Sequence, residues 1–406
     1  MTYREPGDTY SLLAKRISER FSPTAFSPCE ERGRKPIAFI WENFGPGHAD
    51  RCEAVAKQFS GKREIYGIEL VGSSEVYEWK SETRENFKKI TLFDSGKLSK
   101  IGVISRSYST LRACLQCGAS DVFLCHYEHP ATFLTASILR ILGRRTYIMN
   151  DSKYDDYPRY LWREIVKRCF YFPYWGGIAS GFRSADYLRF LGIRKERISG
   201  NYNSLSVERI IRLSGSRPAP QGVAYNDRHF TIIARFIDKK NIFVAISAFK
   251  MFQDASKKPR QLHICGSGPL EQELRSFADK LGISHEIRFR GFIQTEEVCQ
   301  VLAQSLALIL ASTEEQFGNV VIEALAMGVP VIISDNCGAR DHLIRSGVNG
   351  FLVEPDNPNG IAFFMDLLST NEDLWRSMSY ECAQYVLFGD VRHFAEAVQQ
   401  LVGMSR

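Results

Sequence analysis

From Pro36 onward, short apolar runs alternate with longer stretches whose apolar positions recur at helical spacing. IAFIW (37–41) is unbroken by polar residues, the pattern of a strand buried on both faces of a sheet. It runs into Gly45-Pro46-Gly47-His48, and ADRCEAVAKQF then reads as a helix. EIYGIEL (64–70) reads as the next strand, IGVIS (101–105) as another followed by a helix, and DVFLCHY (121–127) as a fourth. ATFLTASILRILG (131–143) reads as a helix and TYIMN (146–150) as a strand. Strands that alternate with helices predict a parallel sheet with helices on both faces.

LSGSRPAPQGVAYND (213–227) breaks the alternation with Ser, Pro and Gly and reads as a linker. The pattern then restarts. HFTIIARF, QLHICGSG, EIRFRGFI, LALILAS, PVIISD and FLVEP read as strands, with helical stretches such as NIFVAISAFKMF, LEQELRSFADKLG and VVIEALAMG between them. The expected architecture is α/β, with two Rossmann-like domains facing across a cleft. The boundaries are a polar N-terminal extension 1–35, a first domain 36–215, a linker 216–227, a second domain 228–385 and a C-terminal helix 386–406. Ligands of open α/β sheets bind at the carboxyl ends of the strands.

At 406 residues the chain is long enough for two or three domains. It has no apolar run of membrane-spanning length, and its N-terminus lacks the apolar core of a secretory signal. The ten cysteines sit mostly inside apolar runs, as expected of buried thiols in a cytoplasmic protein. Cys114 and Cys117 form one C-x-x-C, without the second pair that a zinc site needs. Charge is uneven. Residues 1–220 hold 35 Lys+Arg against 24 Asp+Glu, a net +11, and the remainder holds 17 against 22, a net −5. A basic front half suits an anionic partner, such as an anionic glycan or a peripheral contact with a membrane surface carrying a lipid-linked acceptor. Within the extension, Leu12, Leu13, Ile17 and Phe21 fall near one helical face, a pattern compatible with a membrane-surface helix. No nucleic-acid recognition motif accompanies the charge.

The strongest chemical feature is ASTEEQFGNVVIEALAMGVP (311–330). A strand ends, a loop carries Glu315, Phe317 and Gly318, and a helix begins near Asn319. The start of a helix offers unpaired N–H groups and the positive end of its dipole to a phosphate, and a glycine allows close approach. Glu315 and Glu323 flank that point, and carboxylates accept hydrogen bonds from sugar and ribose hydroxyls. Arg235 and Lys240 lie five apart where a strand gives way to a helix. Arg can grip phosphate oxygens with two donors and Lys acts as a point charge. Gly266-x-Gly268 reads first as a tight turn.

Glu315-x7-Glu323 followed by Ala-Leu-Ala-Met-Gly-Val-Pro resembles the signature of the GT4-type retaining glycosyltransferases of GT-B fold, the glycosyl transferases group 1. Ala234-Arg235 to Lys240, His263-Ile-Cys-Gly266-Ser-Gly268 and Arg290-Gly-Phe-Ile293 are similar to further family segments in the same order. The resemblance implies a donor site in the second domain. Arg235 and Lys240 would stabilise the leaving diphosphate, Glu315 would hold the donor sugar and Glu323 the ribose. Gly266, Ile293, Phe317, Gly318 and Asn319 would contact the nucleotide-sugar. Gly45 and Gly47 stand where the family keeps a glycine loop near the donor phosphates, with His48 in place of a further glycine. His126 stands where the family often places a histidine facing the sugar, and Glu128 competes with it for the acceptor. Lys153, Tyr154, Arg159 and Tyr160 lie where the acceptor surface often falls. The resemblance also implies transfer with retention of configuration from a nucleotide-sugar to a glycan or lipid-linked saccharide. No metal ion or cofactor is expected, and the last helix should cross back onto the first domain. The alternatives are a nucleotide-sugar epimerase of related fold and a non-catalytic nucleotide-sugar binding protein.

Overall fold

The computed structural model describes residues 35–72, 83–94, 98–126 and 128–404. The extension and its candidate membrane-surface helix therefore lie outside the described residues. The first domain runs β1 (Ile37–Trp41), α1 (Pro46–Phe59), β2 (Ile65–Val71), β3 (Lys88–Phe93), α2 (Val103–Gln116), β4 (Asp121–Leu124), α3 (Pro130–Ile141), β5 (Arg145–Asn150), α4 (Leu161–Tyr171), β6 (Gly176–Ala179), α5 (Phe182–Phe190) and β7 (Ile198–Ser199). Its seven strands pair in the order β3-β2-β1-β4-β5-β6-β7, all parallel. The sequence reading leaves α4, β6, α5 and β7 unassigned, and two further elements depart from it. IGVIS is not a strand, because the α2 helix begins inside it at Val103, with Gly102 in extended backbone at its cap. A five-residue apolar run carries too little periodicity to separate the two states. The β3 strand, KKITLF, escaped notice because it is an edge strand with no fully buried residue.

The second domain begins earlier than expected. The α6 helix (Val207–Ser214) packs with the second domain, Val207 and Ile210 sharing a core cluster with Leu302, Val321 and Leu325. The Ser/Pro/Gly segment is not free. Ala219 donates its N–H to the Met327 carbonyl (2.8 Å), and Tyr225 is buried with its hydroxyl on the Leu368 carbonyl (2.7 Å). Then follow β8 (His229–Ile233), α7 (Ile242–Ala255), β9 (Leu262–Cys265), α8 (Glu271–Lys280), β10 (Ile287–Gly291), α9 (Thr295–Ala303), β11 (Ser305–Leu310), α10 (Asn319–Ala326), β12 (Val331–Ser334), β13 (Gly350–Val353), α11 (Pro358–Thr370), α12 (Glu372–Tyr385) and α13 (Val391–Gly403). The six strands pair in parallel in the order β10-β9-β8-β11-β12-β13. Strands β11 and β12 are apolar apart from one serine each and wholly buried, as two-sided burial demands, and β8 is mostly buried, with His229 and Thr231 as its polar residues.

The chain passes between the domains twice, at 200–206 and at 386–391. Leu205 donates its N–H to the Gly389 carbonyl (3.0 Å) and accepts from the Val391 N–H (3.1 Å), so the two passages lie side by side. The α13 helix then returns to the first domain, burying Phe394, Val398 and Leu401 against Ile37 and Phe39. All nine described cysteines are free thiols. No described helix is long and apolar enough to cross a membrane.

Candidate active site

The carboxyl ends of both sheets meet across a cleft of about 540 Å3. Its second-domain wall is made of loops that glycines allow to lie against each other. Gly266 (φ 141°) and Gly268 (φ 156°) occupy backbone conformations that side chains rarely adopt. A Cβ at Gly266 would stand 1.9 Å from the Ala234 carbonyl oxygen, and one at Gly268 would stand 2.5 Å from that of Phe236. The turn is stitched to its neighbours: Gly266 N–H donates to the Gly291 carbonyl (2.7 Å) and Phe236 N–H to the Ser267 carbonyl (2.8 Å). Arg235 sits between these contacts and lines the cleft with Gly266, Ile293, Asn319 and Glu323. Gly318 (φ 92°) is the cap residue of α10, and a Cβ there would press on Leu310 and Cys337 at 3.1 and 3.2 Å. The glycine lets the first turn of α10, through Asn319 and Val320, face the cleft.

The first-domain wall is the start of α1. Gly45 caps the helix, Pro46 occupies its first turn, and Gly45, Gly47 and His48 line the cleft. The His48 Nδ1 lies 3.0 Å from the Asn43 carbonyl oxygen, which can only accept, so Nδ1 carries the hydrogen and Nε2 the lone pair. Burial and the nearby Arg51 cation hold the His48 pKa well below its ordinary value, so the ring is neutral near pH 7. Arg51 was not singled out from the sequence. It is 3% exposed and lines the cleft, its guanidinium carbon lies 5.0 Å from the centre of the Tyr202 ring, and its Nε has no hydrogen-bond partner among the described residues. A buried cation with an unsatisfied donor in a cleft is an anion-binding feature. Asp50 and Arg209 were missed as well. Two guanidinium nitrogens of Arg209 reach the Asp50 carboxylate (2.8 and 2.7 Å), tying α6 to α1 beside the cleft. None of the three carries a local motif, because their meaning comes from pairing over 150 residues or more.

Burial raises the pKa of the Glu323 carboxyl to about 7; the Arg209 cation opposes the shift and the Asp50 carboxylate adds to it. Glu323 therefore titrates near neutrality.

Five of the sequence-predicted residues do not line the cleft. Lys240 and Glu315 pair with each other (Nζ to Oε2, 2.5 Å) and are largely buried. The carboxylate also accepts from the Ser312 hydroxyl (3.2 Å), and the Glu315 carbonyl accepts from Lys153 Nζ of the first domain (2.9 Å). In this structure the two therefore face one another, because each is the other's nearest compensating charge. Phe317 is 1% exposed and packs in the second-domain core, so its side chain cannot meet a ligand there. Gly318 acts through the backbone turn. His126 lies outside the cleft in a small neighbouring concavity with Trp41, Glu42, Arg106 and His129. Its backbone is left-handed (φ 59°) and its ring is partly exposed, with Nδ1 3.2 Å from Glu128 Oε1. Burial depresses its pKa, but Glu128, with help from Glu42 and Asp151, outweighs that and holds it above the ordinary value. The ligand atoms of His126, Glu128 and His129 lie within 4.8 Å of one another, close enough to share an ion. Asp155 and Asp156 are instead taken up in ion pairs, with Arg183 (2.6 Å) and with Lys153. Of the expected acceptor residues, Lys153 is buried and bridges the domains, Arg159 is held by carbonyls and Tyr187, and Tyr154 and Tyr160 are exposed.

A model of the family described as Glycosyl transferases group 1 matches residues 218–384. Over 145 residues the chain is 30% identical to an uncharacterized glycosyltransferase of Methanocaldococcus jannaschii, covering 36% of each chain. Over 189 residues it is 28% identical to a lipopolysaccharide 1,6-galactosyltransferase of Salmonella typhimurium, covering 46% of this chain and 49% of that one. The chain thus spans between a third and a half of the length of these curated relatives. In fold it is similar to an Anabaena protein crystallised with UDP and glucose (TM-score 0.67, 15% identity, 91% of this chain and 99% of that one). Residues 218–384, which hold Arg235, Gly266, Ile293, Asn319 and Glu323, thus carry the match to the glycosyl transferases group 1 family, within a chain whose two facing Rossmann-like domains have the GT-B fold.

Proposed function

We propose that this protein transfers a sugar from a nucleotide-sugar to a glycan or lipid-linked saccharide, with retention of anomeric configuration, in the building of a polysaccharide or glycoconjugate. The observation that carries this reading is the convergence of Arg235, Arg51, the start of α10 and the start of α1 on one cleft. Two cations and two helix starts suit a diphosphate. The second-domain wall takes the nucleotide, with Ile293 beside the base, Asn319 at the phosphates and Glu323 accepting from ribose hydroxyls. Relatives that act on lipopolysaccharide, and a neighbour solved with UDP and glucose, support a nucleotide-sugar donor and a glycan acceptor.

In the reaction, the bond from the anomeric carbon to the diphosphate breaks as the bond to the acceptor oxygen forms on the same face. The acceptor proton passes to the departing phosphate oxygen. Arg235 and Lys240 stabilise the charge that develops there. Lys240 and Glu315 give up part of their mutual pairing to do this, Lys240 turning to phosphate and Glu315 to sugar hydroxyls. Arg51 adds a third cation from the first domain. His48 Nε2, neutral and fixed, accepts from the acceptor or donor sugar, and His126 stands further out on the acceptor side. With these cations the diphosphate needs no divalent ion.

The test couples binding to turnover. Thermal shift with UDP, GDP and ADP and their sugars identifies the donor by ligand stabilisation. Release of nucleoside diphosphate is then followed with and without saccharide acceptors. Release that requires acceptor, survives chelator and yields a product whose anomeric proton matches the donor's configuration is expected. Release without acceptor, or loss with chelator and recovery with magnesium, would overturn the corresponding part.

A further inference from the structure

The α4 helix is turned inside out. Its inward side carries Glu164 and Tyr171, while Leu161, Trp162, Ile165, Val166 and Phe170 are exposed, Trp162 to 62%. The reason lies in the inward contacts. The Glu164 carboxylate accepts from Lys167 (2.7 Å) and from the Tyr187 hydroxyl, with Arg159 3.5 Å away. That ion-paired cluster fixes the helix by its polar side and leaves the apolar side uncovered among the described residues. The patch continues beyond the helix. Phe170 packs edge-on to Phe133 of α3 (5.3 Å), and the end of α3 exposes Ile141 to 83% beside Phe172, which is 69% exposed and carries the Arg140 guanidinium 4.5 Å from its ring centre. Singly exposed apolar residues need no explanation, but a contiguous set of large ones does.

Charge decides what covers it. Residues 161–173 hold three cations, Arg163, Lys167 and Arg168, and a single carboxylate, the buried Glu164, which pairs inward with Lys167 and Arg159. Arg163 lies against Tyr160 and Trp162 (5.3 and 5.2 Å from ring centres). Two copies of so basic a face would repel each other on close approach. A sheet of anionic headgroups above acyl chains would not, since cations meet phosphates while Trp, Ile and Phe enter the apolar layer.

We infer that the outward face of α4, extended by Ile141 and Phe172, is the docking surface for an anionic lipid bilayer. Leu161 also lines a shallow depression with Arg183, whose guanidinium reaches Asp341 (2.7 Å) and the Cys337 carbonyl (2.9 Å) of the second domain. The docked face therefore abuts the cross-domain contacts beside Glu315, where a lipid-linked acceptor would enter. In that last respect the inference rests on the proposed function.

The experiment is flotation of the full chain with vesicles of phosphatidylglycerol and phosphatidylcholine in equal parts, against phosphatidylcholine alone. Binding to the anionic vesicles is expected. Trp162→Gln with Ile165→Gln and Phe172→Gln should lower the bound fraction by at least roughly tenfold, since three large apolar groups no longer insert. A second variant, Arg163→Glu with Arg168→Glu, should lose the preference for anionic lipid. Stabilisation by nucleoside diphosphate, read on the same samples, reports the cleft and the fold and should match the unaltered chain. Equal flotation of the apolar variant, or an unaltered chain that stays in solution, would overturn the inference while leaving the cleft reading intact. So would a dimer, seen by sedimentation, that the apolar variant dissolves.

Discussion

The two walls of the cleft are built by different means. The second-domain wall is local: Arg235 stands one residue from a turn that Gly266 and Gly268 pin in place, and Asn319 and Glu323 follow Gly318 on one helix. The first-domain wall is assembled over distance, with Arg51 against Tyr202 and Asp50 against Arg209. A wall made of short motifs holds its geometry by itself. A wall made of long-range pairs holds it only when the domains are correctly joined.

The largest effect expected is on the local wall. Arg235→Ala should lower kcat/KM by about 10^2- to 10^3-fold, the usual loss when one donor to a developing oxyanion is removed. A fall much smaller than that, in steady-state rates, would move the phosphate grip to the first domain.

Glu323 offers a sharper contrast, because it places stability against function. Its unfolded carboxyl ionises in the ordinary range, whereas in the fold it does so near pH 7. Between these values the folded state keeps the extra proton, so stability falls as pH rises and is lowest above pH 7. Glu323→Gln removes that cost. It should stabilise the unliganded protein by about 1–2 kcal/mol at pH 8, with little gain at pH 5, while weakening nucleotide binding. Denaturant melts at the two pH values check the first part and calorimetric titration the second.

Arg51→Ala tests whether the distant wall binds at all. We expect about tenfold weaker nucleoside diphosphate affinity, of the order of one charge-assisted hydrogen bond. Unchanged affinity would make that wall a cover only. The smallest effect is expected of His126→Ala. It should change nucleotide affinity by less than about threefold, because the ring lies outside the cleft, while acceptor KM rises.

Legibility in the sequence follows the same division. The second domain could be read almost strand by strand, since buried parallel strands are unbroken apolar runs, and its cleft-lining residues sit in motifs a few residues long. Lys240 and Glu315 were expected to meet the donor diphosphate and sugar, but their mutual 2.5 Å pairing depends on how two loops meet, which spacing does not encode. Phe317 falls inside the signature yet belongs to the core, since a motif fixes a loop without fixing which side chains turn outward. In the first domain the edge strand β3 was missed because it is half-polar, and Arg51 because nothing local separates a buried arginine from a solvated one. The early start of the second domain at α6 was hidden because an amphipathic helix does not say which of two cores it will join.

The two neighbouring passages of the chain, bonded through Leu205, Gly389 and Val391, have a mechanical consequence. Two strands that cross together act as a hinge with one axis, whereas crossings at opposite edges would lock the bodies. Arg209 on Asp50, Lys153 on the Glu315 carbonyl and Arg183 on Asp341 then serve as latches, so opening the protein costs polar contacts, one of them a buried ion pair, and disturbs neither core.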